Sequence, residues 1–194
     1  WKRAWFYPKD SENMHDAVQR ESKAARDSAG ILDASTLGKI DIQGTDASEF
    51  LNRVYTNAWS KLAVGRCRYG LMLNEDGMVY DDGVTTRLDE NHYIMTTTTG
   101  GAATVLGKLE DYLQTEWPEL DVYLTSVTDH YATVSVCGPN SKKIVSQVIP
   151  DLDFSDDNFP HMSFKNAKIG KIKCRIMRIS FTGEQSYEIN VQAN

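Results

Sequence analysis

Along this chain the apolar positions switch between a helical and an extended period, and the switches mark its elements. From Asp10 to Ser28, Met14, Ala17, Val18 and Ala25 recur at helical spacing among charges, which predicts a helix. The pattern then turns extended from Ile31 to Ile42. Asp46, followed three residues later by Glu49, has the form of an N-cap with its capping box. Ala47, Phe50, Leu51, Val54 and Tyr55 then fall at i, i+3, i+4, i+7 and i+8, the stripe of a short helix. Leu71 to Leu73, a turn at Asn74-Glu75-Asp76-Gly77 and the run Met78 to Leu88 predict a β-hairpin, with a further strand at Tyr93 to Thr97. Gly100-Gly101 opens a helix whose stripe is Ala102, Val105, Leu106, Leu109 and Leu113, and Trp117-Pro118 ends it. Val122 to Leu124 and the alternating Ala132, Val134 and Val136 read as strands, and Gly138-Pro139-Asn140-Ser141 leads into a helix carrying Ile144, Val145 and Val148. In the last third Ile172, Cys174 and Ile176 alternate with Lys171, Lys173 and Arg175, a half-exposed strand paired through Gly170 with Met162 to Ala167. Helices interspersed with hairpins predict an α+β class, an antiparallel-rich mixed sheet with packed helices.

Composition narrows this little. With 194 residues, 41% hydrophobic and 25% charged, the chain reads as globular and is large enough to bury a core, as one domain or two small ones. Its 21 Lys plus Arg against 27 Asp plus Glu give a net charge of −6, which excludes the overall basic footprint of a nucleic-acid binder. Lys165, Lys168, Lys171, Lys173, Arg175 and Arg178 do crowd one stretch, but no aromatic residue interleaves from Lys168 to Arg178, so it reads as a solvated strand face. Cys67, Cys137 and Cys174 lie far apart without a C-x-x-C, as packed thiols in a reducing compartment do. No apolar run approaches the roughly 20 residues of a membrane span, and Trp1-Lys2-Arg3-Ala4-Trp5 lacks a signal peptide's apolar stretch. The expectation is a cytoplasmic protein with no membrane contact. A first residue other than Met, and an end at Asn194 just after a strand-like run, further suggest a piece of a longer polypeptide.

The unusual chemistry begins at Asp81-Asp82, because Asp is depleted in strands and adjacent acids repel. Two readings stand. The pair ends a strand and Gly83 begins a turn or bulge, or one carboxylate projects from the sheet into a pocket, where it can accept a ligand N–H or a proton. Neighbouring strand residues face opposite ways, so at most one of the two faces a given pocket. A second candidate runs from Ser180 to Glu188, where a turn at Gly183 joins two strands and brings Glu184 and Glu188 near aromatic side chains. A carboxylate beside an aromatic ring suits a flat, nitrogen-rich heterocycle, and a solvated turn is the plainer alternative. Thr96 to Gly101 offers hydroxyls and backbone N–H groups at a helix start, enough to hold an anion or simply to cap. Gly100-Gly101 is no dinucleotide fingerprint. His15, His92, His130 and His161 have no metal-ligand spacing, and Asn74 to Gly77 puts Met72 and Gly83 where a calcium loop needs acids, so no metal site is expected.

The runs Asp33 to Lys39, Phe50 to Asn57, Gly77 to Val84, Thr97 to Gly101, Gln114 to Asp121 and Phe181 to Glu188 resemble the folate-binding, aminomethyltransferase-type domain of the glycine-cleavage T-protein family. Within that family the likeness is greatest to the corresponding domain of the alpha subunits of heterotetrameric sarcosine oxidases. The resemblance spans nearly the whole chain. It implies one partial folate-binding domain over 1–194, with 1–29 as a lead-in segment and helix, and with the family's C-terminal part and β-barrel absent. It also implies tetrahydrofolate as cofactor and transfer of a methylene group, from a sarcosine-derived iminium or formaldehyde, to form 5,10-methylenetetrahydrofolate during the oxidative demethylation of sarcosine to glycine. Flavin and NAD would bind elsewhere in the parent complex, and the partners would be its other subunits. The family's essential aspartate falls on Asp82 and its pterin-recognising glutamate on Glu188. Tyr69 and Phe181 match pocket aromatics, and Thr98 stands about where the family has Asn. Thr98 for Asn and Phe181 for Tyr both trim the hydrogen-bond inventory. A dimethylglycine dehydrogenase, another T-protein-like aminomethyltransferase, or a non-catalytic folate-binding or scaffold domain are the alternatives.

Overall fold

The computed structural model describes residues 4–193; Trp1-Lys2-Arg3, where the lead-in and leader readings begin, and the terminal Asn194 lie outside the described residues. In chain order the elements are α1 (Met14–Asp27), β1 (Gly30–Asp33), β2 (Gly38–Gln43), α2 (Ala47–Val54), β3 (Cys67–Leu73), β4 (Val79–Asp89) and β5 (His92–Thr97). They continue with α3 (Ala102–Thr115), β6 (Tyr123–Ser126), β7 (Tyr131–Cys137), α4 (Ser141–Val148), β8 (Ser163–Ile169), β9 (Ile172–Arg178) and β10 (Ser186–Gln192). The α+β class read from the sequence is the class observed. No helix among the described residues is long and apolar enough to cross a membrane.

The chain divides into two compact units. The central unit, so called for its place in the sequence, comprises Thr36–Tyr131 with Met162–Phe164. Its sheet has the order β3-β4-β5-β2-β6, and every pair in it is antiparallel. The apolar stripes of α2 and α3 pack with Ile40, Ile42, Trp59, Tyr93 and Met95 into one core, and Phe50, Leu51, Val105 and Leu109 are their buried contributions. The terminal unit takes the chain up to Ser35, Ala132–His161 and Lys165–Ala193. Its sheet has the order β1-β7-β10-β9-β8, and its core gathers Val136, Val145, Ile149, Phe154, Phe159, Ile176 and Tyr187. The three cysteines are buried free thiols.

Three local expectations need correction, and β7, a strand as read, buries its polar positions as well. The extended run Ile31 to Ile42 is two strands, because β1 pairs with β7 while β2 pairs with β5 and β6, so the chain changes sheets between Asp33 and Gly38. The helix after Asp46 forms, but its capping box does not. Asp46 Oδ2 instead accepts from Asp121 N at 2.9 Å, and Glu49 accepts from Arg53 Nε at 3.0 Å. β7 is buried on both faces: Thr133 and Ser135, polar in the alternation, bond Asn190 Oδ1 at 2.7 Å and Ser186 Oγ at 3.1 Å. Finally, Asp81-Asp82 ends nothing. β4 runs through both residues and Gly83 to Asp89, and the irregularity near its start lies opposite the step from Met72 to Leu73.

Candidate functional site

The acidic pair sits where the sheet of the central unit changes its mode of pairing. β4 pairs with β3 from Thr86 back to Val79, but with β5 only over Thr85–Asp89. Upstream of Thr85, side chains replace the ladder. Val84 N donates to Thr96 Oγ1 at 3.0 Å, and the same hydroxyl donates back to Val84 O at 3.0 Å. Gly83 packs against the Thr96 carbonyl so closely that a Cβ there would overlap it, which is why a glycine stands in mid-strand without a positive φ.

Asp81 closes the gap. It is 4% exposed. Its Oδ1 accepts from Thr98 N at 3.2 Å and from Asp82 N at 2.7 Å, and its Oδ2 accepts from Thr98 Oγ1 at 3.1 Å. Thr98 Oγ1 in turn accepts from Gly101 N at 3.1 Å. Gly101 is the N-cap of α3, and a Cβ on it would overlap Asp81 Oδ2. The threonine-glycine run therefore does hold an anion at a helix start, and that anion is the carboxylate of Asp81. No Lys or Arg pairs with Asp81 among the described residues; its charge is met by N–H and O–H donors and by the N-terminal end of α3.

Asp82 faces the other way and is only partly buried. In register it opposes Leu71, so Tyr69 lies diagonally across on the same face, and Tyr69 Oη donates to Asp82 Oδ2 at 2.7 Å. That bond, with lesser contributions from burial and from the carboxylate's charge, pushes the Tyr69 phenol above its ordinary range and keeps it a donor. Tyr69 is 49% exposed, and among the described residues Asp82 Oδ1 takes no hydrogen bond. A carboxylate with one oxygen oriented by a phenol and the other open can accept an N–H or receive a proton. Beneath it Tyr55 is buried; burial raises its phenol, the Thr85 hydroxyl opposes that, and the charges of Asp81 and Asp82 add to it.

Of the sequence candidates, Asp82, Tyr69 and Thr98 meet here, linked through Asp81. Phe181 and Glu188 belong to the terminal unit. Phe181 is 86% exposed on the turn before β10, and Glu188 is buried in β10, paired in register with Met177. Ser186, Glu188 and Asn190 form a buried polar row alternating with the core residues Tyr187 and Ile189. Glu184 is committed to Arg26 Nη1 at 2.7 Å. Sequence reasoning ranked Asp81 no higher than its neighbour; the one signal for it was the threonine run 17 residues on, whose donors needed an acceptor. It also missed a groove of about 440 Å³ in the central unit, walled by Tyr80, Tyr112 and Trp117. The groove's cations are already engaged: Lys108 Nζ lies 4.2 Å from the Tyr80 ring centroid and donates to Asn74 Oδ1, and Arg53 pairs with Glu49 and Glu119. No cluster of three or more His, Cys, Asp or Glu placed to hold a metal occurs among the described residues.

Comparison with known proteins gives this geometry a context. The family model described as GCVT N-terminal domain matches residues 1–194. The chain is 57% identical over 194 residues to the sarcosine oxidase subunit alpha of Corynebacterium sp. (strain U-96), covering 100% of this chain and 20% of that relative. The chain thus spans about one fifth of the length of the curated relative it matches. Among solved structures, the glycine cleavage system aminomethyltransferase T from Bartonella henselae superposes with a TM-score of 0.77 at 23% identity, over 90% of this chain and 45% of that one. The heterotetrameric sarcosine oxidase from Corynebacterium sp. U-96, in complex with pyrrole 2-carboxylate, matches with a TM-score of 0.60 at 15% identity, over 92% of this chain and 84% of the matched one.

Proposed function

This chain belongs to the family of GCVT N-terminal domains, and we propose that it is the tetrahydrofolate-binding, one-carbon-transfer domain of a sarcosine oxidase alpha subunit. The observation that carries the reading is the pairing of Asp82 with Tyr69: a carboxylate with one oxygen fixed by a phenol, the other open, beside a half-exposed aromatic ring. Those groups fit a reduced pteridine, whose ring N–H groups need acceptors and whose face needs an aromatic or apolar neighbour. Bound folate would supply the two nitrogens that take up the methylene group, giving 5,10-methylenetetrahydrofolate, with glycine leaving when the donor is the iminium and water leaving when it is formaldehyde. Asp82 would orient the attacking nitrogen and receive its proton, Tyr69 would hold Asp82 in the accepting geometry, and Thr98 would fix the adjoining turn. Glu188 and Phe181, residues of the terminal unit, are proposed as cofactor-binding residues on the strength of the family resemblance alone.

The methylene group would come from sarcosine, as an iminium or formaldehyde released at a flavin elsewhere in the parent complex, with NAD also held outside these residues. The other subunits of the heterotetramer are the proposed partners, which the identity to a sarcosine oxidase alpha subunit supports. Buried free thiols are in keeping with a cytoplasmic location.

The test follows the sarcosine methyl carbon in the assembled parent complex with tetrahydrofolate present. The native complex is expected to deliver the carbon to methylenetetrahydrofolate, and Asp82→Asn to release it as formaldehyde, both normalised to sarcosine oxidised. Formaldehyde alone from both would remove the transferase reading in favour of a scaffold role.

A further inference from the structure

A buried carboxylate without a cation is costly, and its burial is tolerated only where donors surround it. In this sheet that donor set is arranged across a break. β4 and β5 stop sharing ladder bonds upstream of Thr85, and past the bonds of Val84 to the Thr96 hydroxyl the strand segment bearing Asp82 would otherwise be held mainly from the β3 side. One oxygen, Asp81 Oδ1, receives the backbone N–H of Asp82 and the backbone N–H of Thr98, groups 16 residues apart in sequence. The other oxygen receives the Thr98 hydroxyl, which is itself held by Gly101 N at the start of α3. The packing leaves no slack, since a Cβ on Gly101 would overlap Asp81 Oδ2 and lie 2.7 Å from Thr98 Oγ1.

We propose that Asp81 is the positioning residue of this site: its carboxylate clamps the backbone of Asp82 to the Thr98–Gly101 turn, and so fixes the direction in which the Asp82 side chain leaves the sheet. The inference rests on the proposed function, in which Asp82 is the group facing folate. It assigns Thr98 a changed part. The Thr98 hydroxyl spends its proton on Asp81 and one lone pair on Gly101, so its contribution to the site runs through Asp81 more than through direct contact with a ligand. Asp81 itself, buried beneath the strand, touches no ligand. It acts as the outer layer that holds a reacting group within the narrow tolerance transfer requires.

The experiment uses the full parent complex with Asp81→Ala, Asp81→Asn, Thr98→Val and Thr98→Ser, and has two readouts. The first needs no folate: amide hydrogen exchange over residues 78–101. Asp81→Ala is expected to speed exchange at the Asp82 and Thr98 amides by about tenfold, while Asp81→Asn, which keeps an accepting oxygen, changes it less. The second is methylenetetrahydrofolate formed per sarcosine oxidised, over a range of tetrahydrofolate concentrations. Asp81→Ala is expected to lower the saturating transfer rate by about tenfold to a hundredfold with KM for tetrahydrofolate changed far less. Thr98→Val should move the same way and Thr98→Ser should restore the rate. The double variant Asp81→Ala/Thr98→Val should be little worse than Asp81→Ala, because the bond between the two side chains is already lost in the single variant and only the Gly101 N–Thr98 Oγ1 bond is lost in addition. Native exchange and native transfer in Asp81→Ala, beside an inactive Asp82→Asn, would overturn the clamp and leave the transferase reading standing. Faster exchange with undiminished transfer would reduce Asp81 to a structural group and overturn its positioning role. A native complex that makes no methylenetetrahydrofolate would overturn the reading and the positioning role together.

Discussion

At the scale of single residues, the site is a division of labour between two adjacent acids that strand geometry sends to opposite faces. Asp81 is spent on the protein's own backbone, and Asp82 is offered to what approaches the sheet. The link between Asp82 and Tyr69 has a measurable consequence. Because Tyr69 donates to a carboxylate, its neutral form is favoured and its ionisation is displaced upward from 10.0. A group whose folded value is raised contributes stability in full below its unfolded value and loses it as pH rises through the folded one. This contribution is therefore whole through the neutral range and fades only above pH 10. Ultraviolet difference titration is expected to show, among the phenols that ionise above ordinary tyrosines, one that is lost in Tyr69→Phe; in Asp82→Asn that one should return toward ordinary tyrosines. An unchanged titration in Asp82→Asn would mean that the two side chains do not share the bond. The pairing of Asp82 with Tyr69 was partly legible in the sequence, since Asp82 fell on a resemblance-bearing run and Tyr69 matched a pocket aromatic of the family. The place of Asp81 was not, because the donors it satisfies come from a turn 17 residues downstream, and one-dimensional spacing does not say which turn folds back onto a strand.

At the scale of elements, the sequence was most informative where one period persisted and least where tertiary contact reassigned a polar group. The stripe of α3 survives unchanged, with Val105 and Leu109 inward. At α2 the same logic locates the helix but mistakes its bonds, because Asp121 N competes successfully for the Asp46 carboxylate that a capping box would have used. Nor does an extended pattern carry a label for its sheet, so the passage from β1 to β2 was invisible. α1 offers the clearest cap. Asn13 Oδ1 accepts from His15 N at 2.8 Å and from Asp16 N at 3.1 Å, and the preceding segment is tied to the helix by Glu12, which accepts from Arg20 Nε at 2.7 Å. Replacing the cap by Asn13→Ala is expected to cost about 1 kcal/mol in denaturant melts. The Arg20 bonds, then the Lys9 N–H, hold the Glu12 carboxyl down at about 2 against an ordinary 4.5. A lowered value means a contribution present above the unfolded pKa and lost as pH falls through the folded one. Glu12 is half-buried and its partners are all near it in the lead-in and α1, so the loss is local: amides over residues 7–12 should lose protection between pH 4.5 and 2, and should already show that loss at neutral pH in Arg20→Ala.

At the scale of the whole molecule, the two units differ in how the chain reaches them. The central sheet is built from nearly continuous sequence, whereas the terminal sheet joins β1 to β7, with Gly30 opposite Cys137, before β8, β9 and β10 have been added. Loop-closure entropy grows by about 0.6 kcal/mol for each doubling of the loop. Closing the roughly 100 residues between β1 and β7 therefore costs about 2.6 kcal/mol more than closing the roughly five-residue turn between β3 and β4, before any side chain packs. The polar character of the β7–β10 contact adds to the delay. Thr133 with Asn190, and Ser135 with Ser186, contribute only once both strands are in register, and each leaves a buried polar group unpaired until then. The site follows the same order: Asp81, Asp82, Tyr69 and Thr98 lie in the early-closing unit, so their geometry should be established while Glu188 on β10 is still unplaced. Pulse-labelled hydrogen exchange during refolding of the 194-residue chain is expected to protect amides of β3, β4 and β5 before those of β1 and β7. Simultaneous protection of both sets would mean that the long closure is not the slow step, and that the terminal sheet is held together by local contacts rather than by the return of β7 to β1.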